Sequence, residues 1–233
     1  MSLNTFMVRT SLLLALLISL FTIYFKIVVP DTHRLDVFLY QIQHDPVYAS
    51  SEDIPDYVKN AFIASEDNYF LEHSGVDYVS LLNAVKILMM TGEKRIGGST
   101  ITMQLAKNLY LHNRKTFFRK FNEILIAFKI EQAFTKDEIL VMYLNMVYLG
   151  HNSYGIKEAA RFYFNKRVSE LSISEATILA VSLPAPSRVT PLIEPETIMQ
   201  KRDEILIRQL ALKYIQPEAY YKAFKEPLNL YKK

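Results

Sequence analysis

The chain lacks cysteine entirely, has only six glycines, and carries little excess charge for its 233 residues. The absence of cysteine excludes disulfides and thiolate metal sites. A formal net charge of +3 is too small to indicate a nucleic-acid-binding protein, so no nucleic acid is expected among its partners. Half of the residues are hydrophobic and 22% are charged, which excludes a disordered chain and predicts a folded domain with a core.

A long apolar run near the N-terminus predicts a membrane segment. Residues 10–25 carry no charge, Lys26 interrupts the run, and apolar residues continue to Val29. About 20 residues cross a hydrocarbon core as a helix, and a lysine near one end can reach the headgroups. A cleavable signal peptide is the alternative, but no small-x-small cleavage site follows the run. We predict an uncleaved transmembrane anchor at 10–29, whose orientation the flanking charges barely decide.

The remainder of the chain has the pattern of a mainly α protein. Residues 30–51 are mixed and polar and are predicted to be a connector, followed by a single domain at 52–233. Two capping boxes, Thr-x-x-Glu from Thr135 and Ser-x-x-Glu from Ser172, precede apolar runs. No stretch shows convincing strand alternation. Helices are predicted at 55–66, 77–90, 101–109, 117–134, 139–144, 176–183 and 199–214.

An adjacent acidic pair, Glu66 and Asp67, is the first candidate for chemistry. The pair stands among apolar and aromatic residues, and His73 and the turn-permitting Gly75 follow it. A carboxylate with apolar neighbours can have its pKa raised toward neutrality, which suits it to proton transfer. The alternative is a helix end that exposes two acids to water.

A second candidate is the segment 97–108, with the sequence GGSTITMQLAKN. Its glycines and the hydroxyls of Ser99 and Thr100 precede a helix-compatible stretch, and free backbone N–H groups at a helix start bind phosphate. Gln104 and Lys107 are three residues apart and would share one helix face. The alternative is an ordinary loop capped by Ser99 or Thr100. A Walker loop is excluded, because no Gly-Lys-Ser/Thr follows at the needed spacing.

A third candidate is a basic cluster with a carboxylate beside it. Arg114 and Lys115 are followed by Arg119 and Lys120, and Glu123 stands four residues after Arg119. Such a cluster can bind a diphosphate, with the carboxylate inside it. The alternative is a surface ion pair on a solvated helix face.

In their order along the chain, these segments resemble the motifs of the peptidoglycan glycosyltransferase family. This family comprises the glycosyltransferase domain of class A penicillin-binding proteins and its monofunctional relatives. Five segments carry the resemblance, which runs from about Ile54 to Pro191, well over half of the chain. They are 66–75 (EDNYFLEHSG), 97–108, 119–131, 136–155 and 159–180.

The chain departs from the family pattern at two positions. Met103 stands where the family usually carries the first of two glutamines, and Lys115 stands where an arginine is expected. Lysine keeps the charge but loses the fork that grips phosphate in two places. Both departures are expected to affect substrate affinity more than chemistry. No Ser-x-x-Lys occurs and no transpeptidase domain follows in this sequence, so the chain resembles the monofunctional form.

The resemblance implies a lysozyme-like helical glycosyltransferase domain with an N-terminal transmembrane helix. It also implies that the enzyme polymerises lipid II with inversion at the anomeric carbon. Glu66 would be the catalytic base. Glu123, the second catalytic carboxylate, would either orient the basic residues or hold a divalent cation, Mg or Mn, at the diphosphate. No cofactor is expected to be obligatory. The implied substrate-binding residues are Asp67, His73, Ser99, Thr100, Gln104, Lys107, Asn108, Lys115, Arg119 and Lys120.

A lipid-linked substrate also fixes the expected location. Lipid II is polymerised outside the cytoplasmic membrane, so residues 1–9 are expected in the cytoplasm and the catalytic domain outside, on a single-pass anchor. The expected partners are lipid II, the growing lipid-linked glycan, penicillin-binding transpeptidases, and divisome or elongasome proteins. Two alternatives remain at this point. One is a lytic enzyme of lysozyme-like fold that cleaves glycan, and the other is an inactive scaffold of the cell-wall machinery.

Overall fold

The computed structural model describes residues 3–29, 32–92, 98–110 and 117–231, and within this part the secondary structure is helical apart from one isolated bridge between Tyr148 and Tyr154. The predicted mainly α class is therefore confirmed. A 3₁₀ turn at Val168–Glu170 lies among the helices. The α-helices are α1 Leu3–Val28, α2 Thr32–Gln43, α3 Asp56–Glu66, α4 Tyr78–Thr91, α5 Ile101–Tyr110, α6 Phe117–Ala133, α7 Lys136–Met146, α8 Ile156–Phe164, α9 Ile173–Val181, α10 Pro195–Ala211 and α11 Pro217–Lys225.

Two helices form the centre of the domain. Helix α3 packs against α9 and α10, while α5 packs against α6 and α7. Phe62 of α3, Leu105 of α5 and Tyr143 of α7 belong to one buried cluster. Such burial supplies most of the stability of short helices, which are marginal in isolation. The packing brings the C-terminal end of α3 beside the first half of α5.

Local sequence signals set several helix ends as predicted. The hydroxyl of Thr135 accepts a hydrogen bond from the backbone N–H of Glu138, and Ser172 does the same with Glu175, so both capping boxes are formed. At the other end of a helix, Gly92 follows α4 with a φ of +68°, which glycine adopts without strain.

The predicted connector is largely helical. Helix α2 occupies most of it, and Leu35 is buried in the core while Leu39 and Ile42 pack against it. These three residues are four and three positions apart, so they lie on one face of the helix. Polar residues on the other faces conceal this short pattern. Helices α8 and α11 were also not predicted from the sequence.

Helix α1 has the properties of a membrane span. Residues 7–27 have a mean hydropathy of 2.0 and are not buried inside the protein. Their length matches the thickness of a hydrocarbon core. Near the C-terminal end of α1, the Tyr24 hydroxyl donates a hydrogen bond to the Asn122 side chain of α6. A membrane-anchored protein fits this arrangement, and the end of α1 contacts the helix that carries Glu123.

We expect Gly75→Ala to destabilise the fold more than Gly92→Ala. Both glycines have positive φ, +92° and +68°, where any side chain costs about 1 kcal/mol. A Cβ on Gly75 would also lie 3.1 Å from the backbone oxygen of Ala127 and from Cγ of Glu131, whereas no described atom lies within 4 Å of one on Gly92. We expect a total loss of about 3 kcal/mol for Gly75→Ala.

Urea unfolding of the full chain in detergent micelles, followed by circular dichroism, measures both variants. Gly92→Ala is the matched control for the cost of φ alone. Equal losses in the two variants would show that the contact between the Gly75 turn and α6 does not constrain the fold.

Candidate active site

Glu66 is the last residue of α3 and is partly buried. It lines a cleft formed by the end of α3, the start of α4, the segment just before α5, and α10. Its Oε2 accepts a hydrogen bond of 2.9 Å from Nε2 of Gln104 on α5. Burial raises the pKa of Glu66, and the neighbouring Asp67 carboxylate raises it further, against the opposing effect of the Gln104 hydrogen bond. A raised pKa increases the proton affinity of the carboxylate, which suits it to accept a proton in a reaction.

Asp67 faces inward and connects three parts of the chain. Its Oδ2 accepts a 2.9 Å hydrogen bond from the backbone N–H of Ile101, and Nε2 of His73 lies 3.0 Å from both carboxylate oxygens. The backbone N–H of Gly75 donates to Nδ1 of His73, so the proton of this histidine is on Nε2. Asp67 and His73 are therefore both engaged within the protein.

Thr100 caps helix α5. Its hydroxyl donates to the backbone oxygen of Gly75 at 2.6 Å and accepts from the backbone N–H of Met103 at 3.1 Å, and only 2% of the residue is exposed. The N–H groups of Ile101 and Met103 are thus used by Asp67 and Thr100. The structure favours the capping alternative for this helix start, since two of the N–H groups expected to bind phosphate already have partners.

Glu123 joins the two basic residues that precede it on α6. It is only 3% exposed, and its oxygens accept hydrogen bonds from Arg119 and, at 3.0 Å, from Lys120. Lys120 also donates a 2.6 Å hydrogen bond to the hydroxyl of Ser99. The loop before α5 and the basic cluster of α6 are therefore in direct contact.

A divalent cation on Glu123 does not fit this geometry. Both carboxylate oxygens already accept hydrogen bonds from cationic side chains, Arg119 and Lys120. In the ranges that the structure describes, no group of three or more His, Asp or Glu side chains is arranged to hold a metal ion. Of the two roles that the sequence left open for Glu123, the contacts support the orientation of basic residues.

One cleft brings part of the predicted site together. It has a volume of about 270 Å³, and Glu66, Asp67, Ser99 and Thr100 are among its lining residues. Ser99 connects it to the Arg119–Glu123 cluster through Lys120. Two predicted residues, Lys107 and Asn108, lie on the exposed second half of α5, beyond Gln104. The predicted residues Arg114 and Lys115 lie outside the described part of the chain.

Tyr143 and Arg208 contact the site, although neither is among the residues predicted for it from the sequence. The Tyr143 hydroxyl of α7 donates to Oε1 of Gln104 at 3.2 Å. Arg208 of α10 lines the cleft and donates a 2.9 Å hydrogen bond to the backbone oxygen of Ala64. Tyr143 lies within the fourth resembling segment, so its place in the motif was a usable signal. Arg208 lies outside all five segments and carries no such signal.

Comparison with known proteins identifies the family. The model of the transglycosylase family matches residues 34–210. The chain therefore belongs to this family, and the resemblance to the glycosyltransferase domain of class A penicillin-binding proteins is confirmed.

Its relatives are large penicillin-binding proteins. The chain is 45% identical to penicillin-binding protein 1A of Aquifex aeolicus, over 79% of this chain and 26% of that protein. It is 46% identical to penicillin-binding protein 1F of Bacillus subtilis, over 72% of this chain and 23% of that protein. A crystal structure of penicillin-binding protein 1A from Haemophilus influenzae matches 79% of this chain and 18% of that chain, with 27% identity and a TM-score of 0.46. The chain spans about a quarter of the length of the curated relatives it matches, and the monofunctional form stays a prediction.

We expect Glu66→Gln to stabilise the protein, and increasingly so as the pH rises. Burial raises the folded-state pKa of Glu66 above its unfolded value. Below the unfolded-state pKa of Glu66, the residue is protonated in both states and the wild type has its full stability. As the pH rises through the folded-state pKa, the buried carboxylate becomes charged and the wild type loses this stability. Glutamine is neutral throughout, so it does not lose this contribution.

The free energies of unfolding of the wild type and Glu66→Gln, measured by urea titration between pH 4 and 9, test this expectation. The two should be close in acid and diverge toward neutral pH. A difference that stays constant across this range would contradict a raised pKa for Glu66.

We expect Met103→Gln, which restores the residue usual in the family, to cost stability without changing substrate affinity. Met103 is 0% exposed and packs with Val76 and Ala127, so it does not reach the cleft. Burying an amide without a partner costs about 1–3 kcal/mol. Urea unfolding and the concentration dependence of lipid II turnover measure the two effects. A marked change in the apparent KM with unchanged stability would show that position 103 does contact substrate.

Proposed function

We propose that this chain polymerises lipid II into glycan strands in bacterial cell-wall synthesis. The 4-hydroxyl of the acceptor would attack the anomeric carbon of a donor linked to a polyprenyl diphosphate, with inversion. The observation that carries the proposal is the contact of Lys120 with Ser99, which links a cation cluster to the cleft of Glu66. A base and a group that stabilises the leaving diphosphate are the two requirements of this displacement.

Glu66 supplies the base. Its raised pKa increases its affinity for the hydroxyl proton that must be removed as the acceptor attacks. Gln104 holds one of its oxygens, so the carboxylate has a defined orientation in the cleft. Restricting the base to one orientation lowers the entropy cost of reaching the transition state.

Arg119 and Lys120 supply positive charge for the leaving diphosphate. Glu123 accepts from both and holds their side chains on one side of α6, near the Ser99 hydroxyl. Lys107, exposed on α5, is a further cation for the same group. The base and the cations are side chains of this chain, and the proposed mechanism therefore uses no obligatory cofactor.

The membrane-facing surface suits a lipid-linked substrate. Helix α4 exposes a series of large apolar side chains, including Leu82, Met89 and Met90, the last two at 82% and 74%. Together with α1 they would place the cleft at the bilayer surface. In this arrangement α1 crosses once, with residues 1–9 in the cytoplasm and the catalytic domain outside. We further infer that transpeptidases and other divisome or elongasome proteins are its partners in building the wall.

The alternatives make different demands on the site. A lytic enzyme that cleaves glycan releases no diphosphate, so it has no use for the Arg119–Lys120 pair beside its cleft. An inactive scaffold has no use for a partly buried carboxylate with a raised pKa, which lowers stability at neutral pH. The retained base and cations both favour polymerisation.

Glu66→Gln is expected to lower the rate of lipid II polymerisation at least about 10²-fold, because the amide cannot accept the hydroxyl proton. The assay incubates the full chain in detergent with lipid II and separates the glycan products by length. Glu72→Gln, an exposed residue of the same segment, is the matched control and should polymerise like the wild type.

The products also separate the alternatives. Long glycan from lipid II supports the proposal, whereas fragments released from isolated sacculi would indicate a lytic enzyme. Turnover of Glu66→Gln at the wild-type rate would remove Glu66 from the mechanism.

A further inference from the structure

Tyr143 lies behind Gln104, on the side away from Glu66. Its hydroxyl donates to Oε1 of Gln104 at 3.2 Å, and Nε2 of the same amide donates to Oε2 of Glu66 at 2.9 Å. The donors of this chain therefore run in one direction, from phenol to amide to carboxylate. Hydrogen bonds in such a series polarise one another and strengthen.

Tyr143 is held rigidly in this position. The residue is 0% exposed and lies in the main hydrophobic cluster, on a helix that packs against α5. Burial raises the pKa of Tyr143 well above its ordinary value, and the Glu66 and Asp67 carboxylates raise it further. The hydroxyl therefore keeps its proton throughout the pH range of the protein and remains a donor.

We propose that Tyr143 is a positioning residue for the catalytic base, and that it acts through Gln104. The carboxylate of Glu66 can only accept, so it needs the amide nitrogen of Gln104 facing it. The Tyr143 hydroxyl satisfies the amide oxygen on the far side and so favours this orientation over the flipped one. The proposal rests on the proposed function, since it assigns a role toward Glu66 as base.

The other charged groups near Glu66 have hydrogen-bond partners of their own. Asp67 is bonded to His73 and to the start of α5, and Asp77 accepts from the Ser80 hydroxyl. Arg208 of α10 donates to the backbone oxygen of Ala64. None of these contacts involves the Tyr143 hydroxyl, so its removal leaves them in place.

Tyr143→Phe is the direct test, because it removes the hydroxyl and keeps the ring in its packing. We expect kcat for lipid II to fall about tenfold with little change in KM, as a misoriented base affects the chemical step. Without the Tyr143 hydroxyl, the Gln104 amide is no longer held with its nitrogen toward Glu66, so the ionised form of Glu66 loses stabilisation. The acidic limb of the pH–rate profile should therefore move to higher pH.

A double-mutant cycle with Gln104→Ala tests whether Tyr143 acts through Gln104. If it does, adding Tyr143→Phe to Gln104→Ala causes no further loss of kcat and no further movement of the acidic limb. The matched control is Tyr163→Phe, which removes another fully buried hydroxyl, bonded to the backbone oxygen of Leu149. Tyr163→Phe should lower the midpoint of thermal unfolding about as much as Tyr143→Phe does. It should leave the acidic limb of the pH–rate profile in place.

A measurement without substrate separates this proposal from the proposed function. Carbon-13 NMR of the glutamate carboxyls, with the Glu66 signal assigned from Glu66→Gln, gives its titration in the wild type and in Tyr143→Phe. A higher pKa in Tyr143→Phe supports the positioning role even if lipid II is not the substrate. An unchanged Glu66 titration, or additive losses in the double-mutant cycle, would overturn it.

Discussion

The arrangement of the site depends on the hydrogen bond between the Asp67 carboxylate and the backbone N–H of Ile101. This bond connects the end of α3 to the start of α5 across a sequence separation of 34 residues. A carboxylate at a helix N-terminus is stabilised by the free N–H groups and by the helix dipole. With this junction made, Gln104, one turn further along α5, lies opposite Glu66. Of the two adjacent acids, Asp67 therefore joins α3 to α5, and Glu66 faces the cleft.

The same junction adjoins the segment that connects the cleft of Glu66 to the basic cluster of α6. Ser99 precedes the capped start of α5 and lies in the cleft of Glu66, and Lys120 reaches it from α6. Glu123 holds Lys120 and Arg119 together, although a largely buried carboxylate is stable there only because both oxygens have cationic partners. The Glu66 carboxylate and the cations of α6, which the proposed mechanism uses as base and as partners of the leaving diphosphate, are in this way connected through Ser99.

Much of the local structure could be predicted from the sequence. The capping boxes at Thr135 and Ser172 are formed as expected, because the groups that make them lie within three residues of one another. Family resemblance identified Glu66, Glu123 and the basic residues of α6, and the structure brings these into neighbouring clusters. Helix α2 was hidden, since its three apolar residues are separated by polar ones. The role of Thr100 was open between capping a helix and binding phosphate, and its contacts with Gly75 and Met103 decide for capping.

The sequence by itself determined the elements and the kinds of side chain available: a membrane-length apolar run, capped helices, an acidic pair and a basic cluster. These depend on interactions between near neighbours, whose patterns can be read along the chain. Only the tertiary structure decided which polar groups become partners. It placed Asp67 on the start of α5, buried Met103 away from the cleft, and set Tyr143 behind Gln104. Each of these choices depends on packing between helices distant in sequence, which determines the groups that lose water and the donors left to satisfy them.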